Sequence, residues 1–229
     1  MASKQPPLSY KGKNAIASAQ RFINQADYAA AMKQAEIAIK SDPKSGAPHM
    51  VKAYILDQQK QSKKAGNEYA RALALSPNNG FILNAFAVHL CGNQQYDQAD
   101  AYFIKATADS DFPSQIEAFE NASQCSLENN NFILAEYRAR TALILNPESI
   151  SALEVMAQVK FKQSSFLEAR AFMQRREALG LLSAPLLQLA QKIEKSAGDD
   201  RAAAQYQKQL DLLLQAQIQP PTGEGQKKP

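Results

Sequence analysis

Small apolar residues recur along this chain in a helical pattern that repeats every 34 residues. In the stretch DYAAAMKQAEIAIKSDP, residues 27–43, Ala31, Ala35 and Ala38 are separated by steps of four and three. This spacing places the three alanines on one face of a helix. Pro43 ends that helix, because proline has no amide hydrogen and biases the preceding residue away from helical dihedrals. Alanine adds little bulk to a helix face, so the pattern predicts another helix packed closely against it.

The pattern returns four more times, with a weaker sixth copy. The equivalent positions are Ala65, Tyr69, Ala72 and Pro77; Ala99, Phe103, Ala106 and Pro113; Ala135, Ala139, Ala142 and Pro147; Ala169, Met173 and Arg176; and Ala203 and Leu210. A further small position precedes each of the first five sets, at Ala19, Ala53, Ala87, Ser123 and Ala157. A period of this length with small residues at these offsets resembles the tetratricopeptide repeat, a pair of antiparallel helices.

The repeat predicts an all-α fold, a right-handed α-solenoid of about six tetratricopeptide hairpins. A single hairpin cannot bury its apolar face, so stacked neighbours must form the core. The repeats are predicted to start near residues 12, 46, 80, 116, 150 and 184, within one domain over 12–215. Residues 1–11 are expected to form a flexible arm, and 216–229, rich in Pro, Gly and Lys, a disordered tail. The segment ADSDFPSQ, 108–115, carries a two-residue insertion that should alter the junction of repeats three and four.

Composition excludes several classes of function. The chain is 45% apolar and 21% charged, with a net charge of +4. The weak charge comes largely from lysines near the ends and forms no basic stripe, so nucleic acid is not expected as a partner. No run of about 18 apolar residues is present, so no membrane-spanning helix is predicted.

The sequence offers no constellation that performs catalysis. Its 9 glycines form no phosphate-binding loop. A zinc site built from His89, Cys91 and Cys125 is disfavoured, because zinc needs four convergent ligands. The pair Glu117 and Glu120 is more typical of a solvated helix face. We therefore predict no enzyme activity, no metal, no cofactor and no small-molecule substrate.

The two cysteines allow two interpretations. Cys91 and Cys125 both fall in the second half of a first helix, in repeats three and four, and consecutive first helices are neighbours in a solenoid. Buried free thiols would act as small hydrophobic residues. A disulfide would instead link the two repeats across the irregular junction and would indicate an oxidising compartment. We predict the disulfide.

A partner-binding groove is predicted along the first helices. In solenoids of this class, the second, fifth, ninth and twelfth positions of that helix tend to face the groove. An exposed apolar strip usually marks an interaction site; the alternative is that half of these side chains pack on their neighbours. The groove should be apolar near the N-terminus and acidic beyond the insertion, at Glu117, Glu120 and Glu154. The residues predicted to bind a partner are Ile16, Ile23, Met50, Tyr54, Phe81, Asn84 and Val88.

Several stretches together resemble a narrower family. Three features are similar to those of type IV pilus biogenesis lipoproteins, the PilF/PilW-type pilotins. They are the six repeats, an insertion of the form DFPSQIEAFENAS before repeat four, and the pair HLCGN and SQCSLENN. The resemblance implies a scaffold that helps secretin subunits of the pilus pore reach the outer membrane and form multimers. The implied location is the periplasm, tethered to the outer membrane through a lipid anchor. This chain shows no lipidation cysteine near its start. Either a signal peptide and anchor have been removed, which we expect, or the anchor implied by the resemblance does not apply to this chain.

Two other functions stay open at this point. A cytosolic co-chaperone would clamp carboxylates with Lys, Arg and Asn at fixed groove positions, and its location would be cytoplasmic. A generic scaffold, for example in cell-wall synthesis, has the same repeats and differs only in its partner. The co-chaperone interpretation is weakened because the clamp positions carry Ile16, Gln20, Val51, Phe81 and Ala85.

Overall fold

The computed structural model describes residues 7–108 and 112–218. Within these ranges the chain forms twelve α-helices and no strand. They are α1 (Tyr10–Asn24), α2 (Tyr28–Ser41), α3 (Ala47–Gln58), α4 (Ser62–Leu75), α5 (Gly80–Gly92), α6 (Tyr96–Thr107), α7 (Gln115–Glu128), α8 (Phe132–Leu145), α9 (Ile150–Lys162), α10 (Phe166–Glu177), α11 (Ala184–Ser196) and α12 (Asp200–Ile218). The predicted all-α class and its helix-turn-helix repeats are confirmed.

The chain divides into two compact units, Met1–Asn129 and Asn130–Pro229. Unit 1 contains the hairpins α1–α2, α3–α4 and α5–α6, followed by α7. Unit 2 contains α8 and the hairpins α9–α10 and α11–α12. We call the first helix of each repeat its A helix (α1, α3, α5, α7, α9 and α11) and the second its B helix.

The A helices begin within two residues of the predicted repeat starts, with the largest difference at α1. That helix begins at Tyr10 because Ser9 caps it, accepting a hydrogen bond from the Gly12 amide. The amide and hydroxyl of Ser9 also donate to the Asp42 carboxylate at the end of α2, each at 2.9 Å. The predicted arm over 1–11 therefore overlaps α1. At the other end α12 continues to Ile218, so the predicted tail overlaps this helix, and residues 219–229 lie outside the described residues.

The small residues of the repeating pattern are buried between helices. Ala31, Ala35 and Ala38 on α2 are 0% exposed. Ala31 and Ala35 share a core cluster with Ile55 of the next A helix. The same full burial holds for the small positions of the A helices, Ala19, Ala53, Ala87, Ser123 and Ala157. Alanine is used here because a larger side chain would separate helices that pack at short range.

A residue with positive φ ends each A helix. Five of the six are not glycine, although this conformation costs other residues free energy. At the first turn, Ala26 donates to the Ile23 carbonyl and the next amide donates to Phe22, which is the Schellman arrangement that terminates a helix. The six residues are Ala26, Lys60, Gln94, Asn130, Ser164 and Gly198.

The substitution Ala26→Gly is expected to raise the free energy of unfolding by about 0.5–1 kcal/mol, because glycine adopts positive φ without a steric penalty. Urea denaturation measures the change. The matched control is Ala101→Gly, on the exposed face of α6. There the same exchange should lower stability by about 0.5–1 kcal/mol, since glycine is unfavourable inside a helix. Equal destabilisation by both substitutions would contradict this explanation of the turns.

Candidate functional site

Unit 1 contains a cavity of about 690 Å³ lined by its A helices and by part of α4, which we call the unit 1 groove. This volume lies in the range of ligand-binding sites. The lining combines apolar side chains with polar groups from α1, α3, α4, α5 and α7. Its residues are Gln20, Ile23, Met50, Val51, Tyr54, Asp57, Gln58, Ser62, Tyr69, Phe81, Asn84, Ala85, Val88, His89, Gly92, Asn93, Glu117 and Asn121.

Three large apolar side chains of the groove are exposed. Tyr54 on α3 is 42% exposed, and Phe81 and Val88 on α5 are 46% and 44% exposed. Met50 is half-buried beside them and Ile23 is buried. Apolar side chains clustered around a concavity, rather than scattered singly, are typical of an interaction site.

The insertion before α7 supports one wall of the groove. Phe112, from the predicted insertion, is buried and meets the Phe81 ring edge to face, with ring centroids 5.0 Å apart. It also packs against Gly80 at the start of α5, where an added Cβ would lie 2.5 Å from the Phe112 ring. Glycine at this position therefore allows the insertion to approach α5 and hold Phe81 at the groove.

The floor of the groove carries a hydrogen-bonded group from three helices. Nδ1 of His89 on α5 lies 2.8 and 3.0 Å from the two carboxylate oxygens of Asp57 on α3. Tyr69 on α4 also hydrogen-bonds Asp57, and burial together with this carboxylate raises the pKa of the Tyr69 hydroxyl. The Tyr69 hydroxyl therefore stays protonated and acts as a donor. His89 and Tyr69 together hold the Asp57 carboxylate in place.

The α7 side of the groove is fixed by two links to α5. Asn121 donates to the side-chain oxygen of Asn84 at 3.3 Å. Cys91 and Cys125 form the predicted disulfide, with their Cα atoms 5.9 Å apart. These links hold α7, and with it Glu117, against the apolar part of the groove.

Most of the predicted partner-binding residues come together in this cavity. Ile23, Met50, Tyr54, Phe81, Asn84 and Val88 all line it, although Asn84 is buried and engaged with Asn121. Ile16 does not line it, because this half-buried side chain packs into the core cluster around Ala19. Sequence reasoning missed the roles of Tyr69, His89 and Asn121.

In unit 2 the expected acidic surface is partly neutralised. Glu154 accepts a hydrogen bond of 2.6 Å from Arg176, so its carboxylate is paired with a cation. Glu136 is also paired, with the ammonium of Lys160 at 2.8 Å. Burial opposes ionisation of Glu136, but hydrogen bonds from Lys160, Arg140 and Gln163 outweigh it and lower its pKa to about 2.

The described residues form neither a membrane-spanning helix nor a metal-binding cluster. None of the helices there is both long enough and apolar enough to cross a bilayer. Among those same residues, no group of three or more His, Cys, Asp or Glu side chains is arranged to hold a metal ion.

Hairpins with a 34-residue period, small residues buried at recurring interhelical positions and a groove along the A helices of unit 1 define a tetratricopeptide-repeat protein. A tetratricopeptide repeat protein from Parabacteroides merdae has the same kind of fold, with a TM-score of 0.58 and 16% identity over 89% of this chain and 93% of its own. No family model matches the sequence.

The chain is homologous to the type IV pilus assembly protein PilF of Pseudomonas aeruginosa, with 27% identity over 182 residues that cover 80% of this chain and 72% of the relative. Its structure matches that of PilW, described as a widely conserved type IV pilus biogenesis factor, with a TM-score of 0.84 and 29% identity over 90% of this chain and 95% of PilW. The solved structure of Pseudomonas aeruginosa PilF matches with a TM-score of 0.81 and 24% identity, over 91% and 94% of the two chains. The predicted resemblance to these pilus biogenesis proteins is confirmed.

Proposed function

We propose that this protein is a non-catalytic scaffold that binds the secretin subunit of the type IV pilus and assists its targeting to the outer membrane and its assembly into multimers. It acts in the periplasm, tethered to the inner face of the outer membrane. The homology to PilF and PilW supports a scaffold role in pilus biogenesis. The disulfide between Cys91 and Cys125 supports an oxidising compartment.

The observation that carries the proposal is the exposed apolar surface of the unit 1 groove. Tyr54, Phe81 and Val88 remain exposed around a concavity whose α5 and α7 sides are linked by a disulfide. Apolar surface of this kind favours an apolar segment of another polypeptide, and methionine beside an aromatic residue adapts to varied side chains. A preformed groove also lowers the cost of ordering on binding.

Replacing Met50 and Tyr54 together by aspartate is expected to abolish capture of purified secretin subunits by the immobilised protein. Two carboxylates would have to be desolvated beneath an apolar segment, so affinity should fall about a hundredfold or more. Circular dichroism should show unchanged helicity, because Tyr54 is exposed and Met50 is half-buried.

The matched control is the double variant Tyr10→Asp, Ile104→Asp, which replaces two apolar residues of unit 1 outside the groove. Both are exposed, at 82% and 56%. This control should capture secretin as the natural protein does. Undiminished capture by the Met50→Asp, Tyr54→Asp variant would remove the groove from the proposal, and absence of capture by the natural protein would remove secretin as the partner.

A further inference from the structure

The unit 1 groove places two carboxylates around its apolar surface. Asp57 lies on α3 and Glu117 on α7, and both line the cavity. Among the described lining residues there is no lysine or arginine. His89 is the one lining side chain of that set with a basic nitrogen, and its Nδ1 faces Asp57.

The Asp57–His89 pair presents its carboxylate, not its imidazole, to the groove. The side chain of Asp57 is 24% exposed, whereas that of His89 is 7% exposed. The His89 ring is instead stacked near Phe86 and Tyr69, at centroid distances of 6.0 and 5.1 Å. His89 and Tyr69 hold the Asp57 carboxylate on its buried side. Its remaining lone pairs are free to accept hydrogen bonds from a ligand in the groove.

Glu117 adds a second carboxylate that is not neutralised. It is exposed in the first turn of α7, and in the described part of the chain it has no ion-pair partner. In unit 2, by contrast, both Glu154 and Glu136 are paired with a cation. The groove therefore combines apolar side chains with the exposed carboxylate of Glu117 and the partly exposed carboxylate of Asp57.

We propose that the unit 1 groove selects an apolar polypeptide segment that carries a lysine or arginine, whose cation pairs with Glu117 and Asp57. This inference rests on the proposed function, since it defines the chemistry of the segment bound there. The complementary charge orients the segment in the groove and discriminates against segments with acidic residues, whose carboxylates would face those of the groove.

Selection from a random peptide library displayed on phage tests this preference without assuming a partner. The natural protein should enrich sequences in which apolar residues accompany Lys or Arg, and should deplete Asp and Glu. The Met50→Asp, Tyr54→Asp variant serves as the blank. For the best peptide, replacing its basic residue by glutamine should weaken binding about fivefold, as expected for a partly exposed ion pair. The loss should shrink as ionic strength rises.

Substitutions at Glu117 assign the effect to the groove. Because this side chain is exposed and unpaired among the described residues, Glu117→Gln should fold normally and reduce the preference for basic peptides, and Glu117→Lys should shift it towards acidic ones. Adding Asp57→Asn to Glu117→Gln should reduce the preference for basic peptides further. Glu36→Gln, which removes an exposed charge from α2 outside the groove, is the control and should keep the preference.

The outcomes separate the two proposals. Enrichment of apolar peptides without a basic preference, or a preference unaffected by Glu117→Gln and Glu117→Lys, overturns the charge inference and leaves the docking groove standing. No enrichment over the Met50→Asp, Tyr54→Asp blank overturns both.

Discussion

Reducing the disulfide between Cys91 and Cys125 is expected to lower the free energy of unfolding of unit 1 by about 3–4 kcal/mol. The two cysteines are 34 residues apart, so the link restricts a long loop in the unfolded chain. Both are buried in one core cluster formed by α5, α6 and α7. Urea denaturation followed by circular dichroism, with and without a reductant, measures the change. Reduction should also weaken partner binding, because α7 supplies Glu117 and Asn121 to the groove.

The double variant Cys91→Ala, Cys125→Ala is the control for the reductant. Its urea transition should not respond to the reductant and should lie close to that of the reduced natural protein. If thiol titration shows two free thiols after reduction while the urea transition of the natural protein stays in place, the disulfide does not stabilise unit 1.

Phe103→Ala is expected to lower the free energy of unfolding by about 3–5 kcal/mol, the usual cost of removing a buried aromatic ring. Phe103 on α6 is 1% exposed and lies in the same cluster as the disulfide. In the repeat pattern it occupies a position where α2 and α8 carry alanine, at Ala35 and Ala139. Truncating the ring would therefore leave a cavity in this cluster.

The adjacent substitution Ile104→Ala provides the matched comparison. Ile104 is 56% exposed on the other side of the same helix, so its truncation should change stability by no more than about 0.5 kcal/mol. Similar losses for the two variants, measured by thermal or urea denaturation, would show that burial in this cluster does not determine stability here.

The fold could be predicted in detail because its core depends on a local, repeated pattern. Ala31, Ala35 and Ala38 are recognisable from spacing alone, and the same offsets recur through five hairpins. The positive-φ residues in the turns were harder to recognise from the sequence. The residues with positive φ recur in register with the repeat, but they are mostly Ala, Lys, Gln, Asn or Ser, and only Gly198 gives the usual glycine signal.

The site was predictable only where it follows the repeat. Counting positions along the A helices identified Met50, Tyr54, Phe81 and Val88, which line the groove. The same counting included Ile16, which packs in the core instead. Position within the A helix does not distinguish a side chain that faces the groove from one that packs against its neighbours in the first repeat. The hydrogen-bonded floor was not predictable, since Asp57 and His89 lie 32 residues apart and meet only when α3 and α5 pack together.

Crosslinking from within the groove tests the docking of the secretin subunit most directly. A photoreactive phenylalanine analogue placed at Tyr54, in cells that assemble type IV pili, should crosslink to the secretin subunit after irradiation. The same analogue at Ile104, exposed outside the groove, should give no such product. A secretin crosslink from position 104 and none from position 54 would contradict the account, because the subunit would then bind elsewhere on the protein.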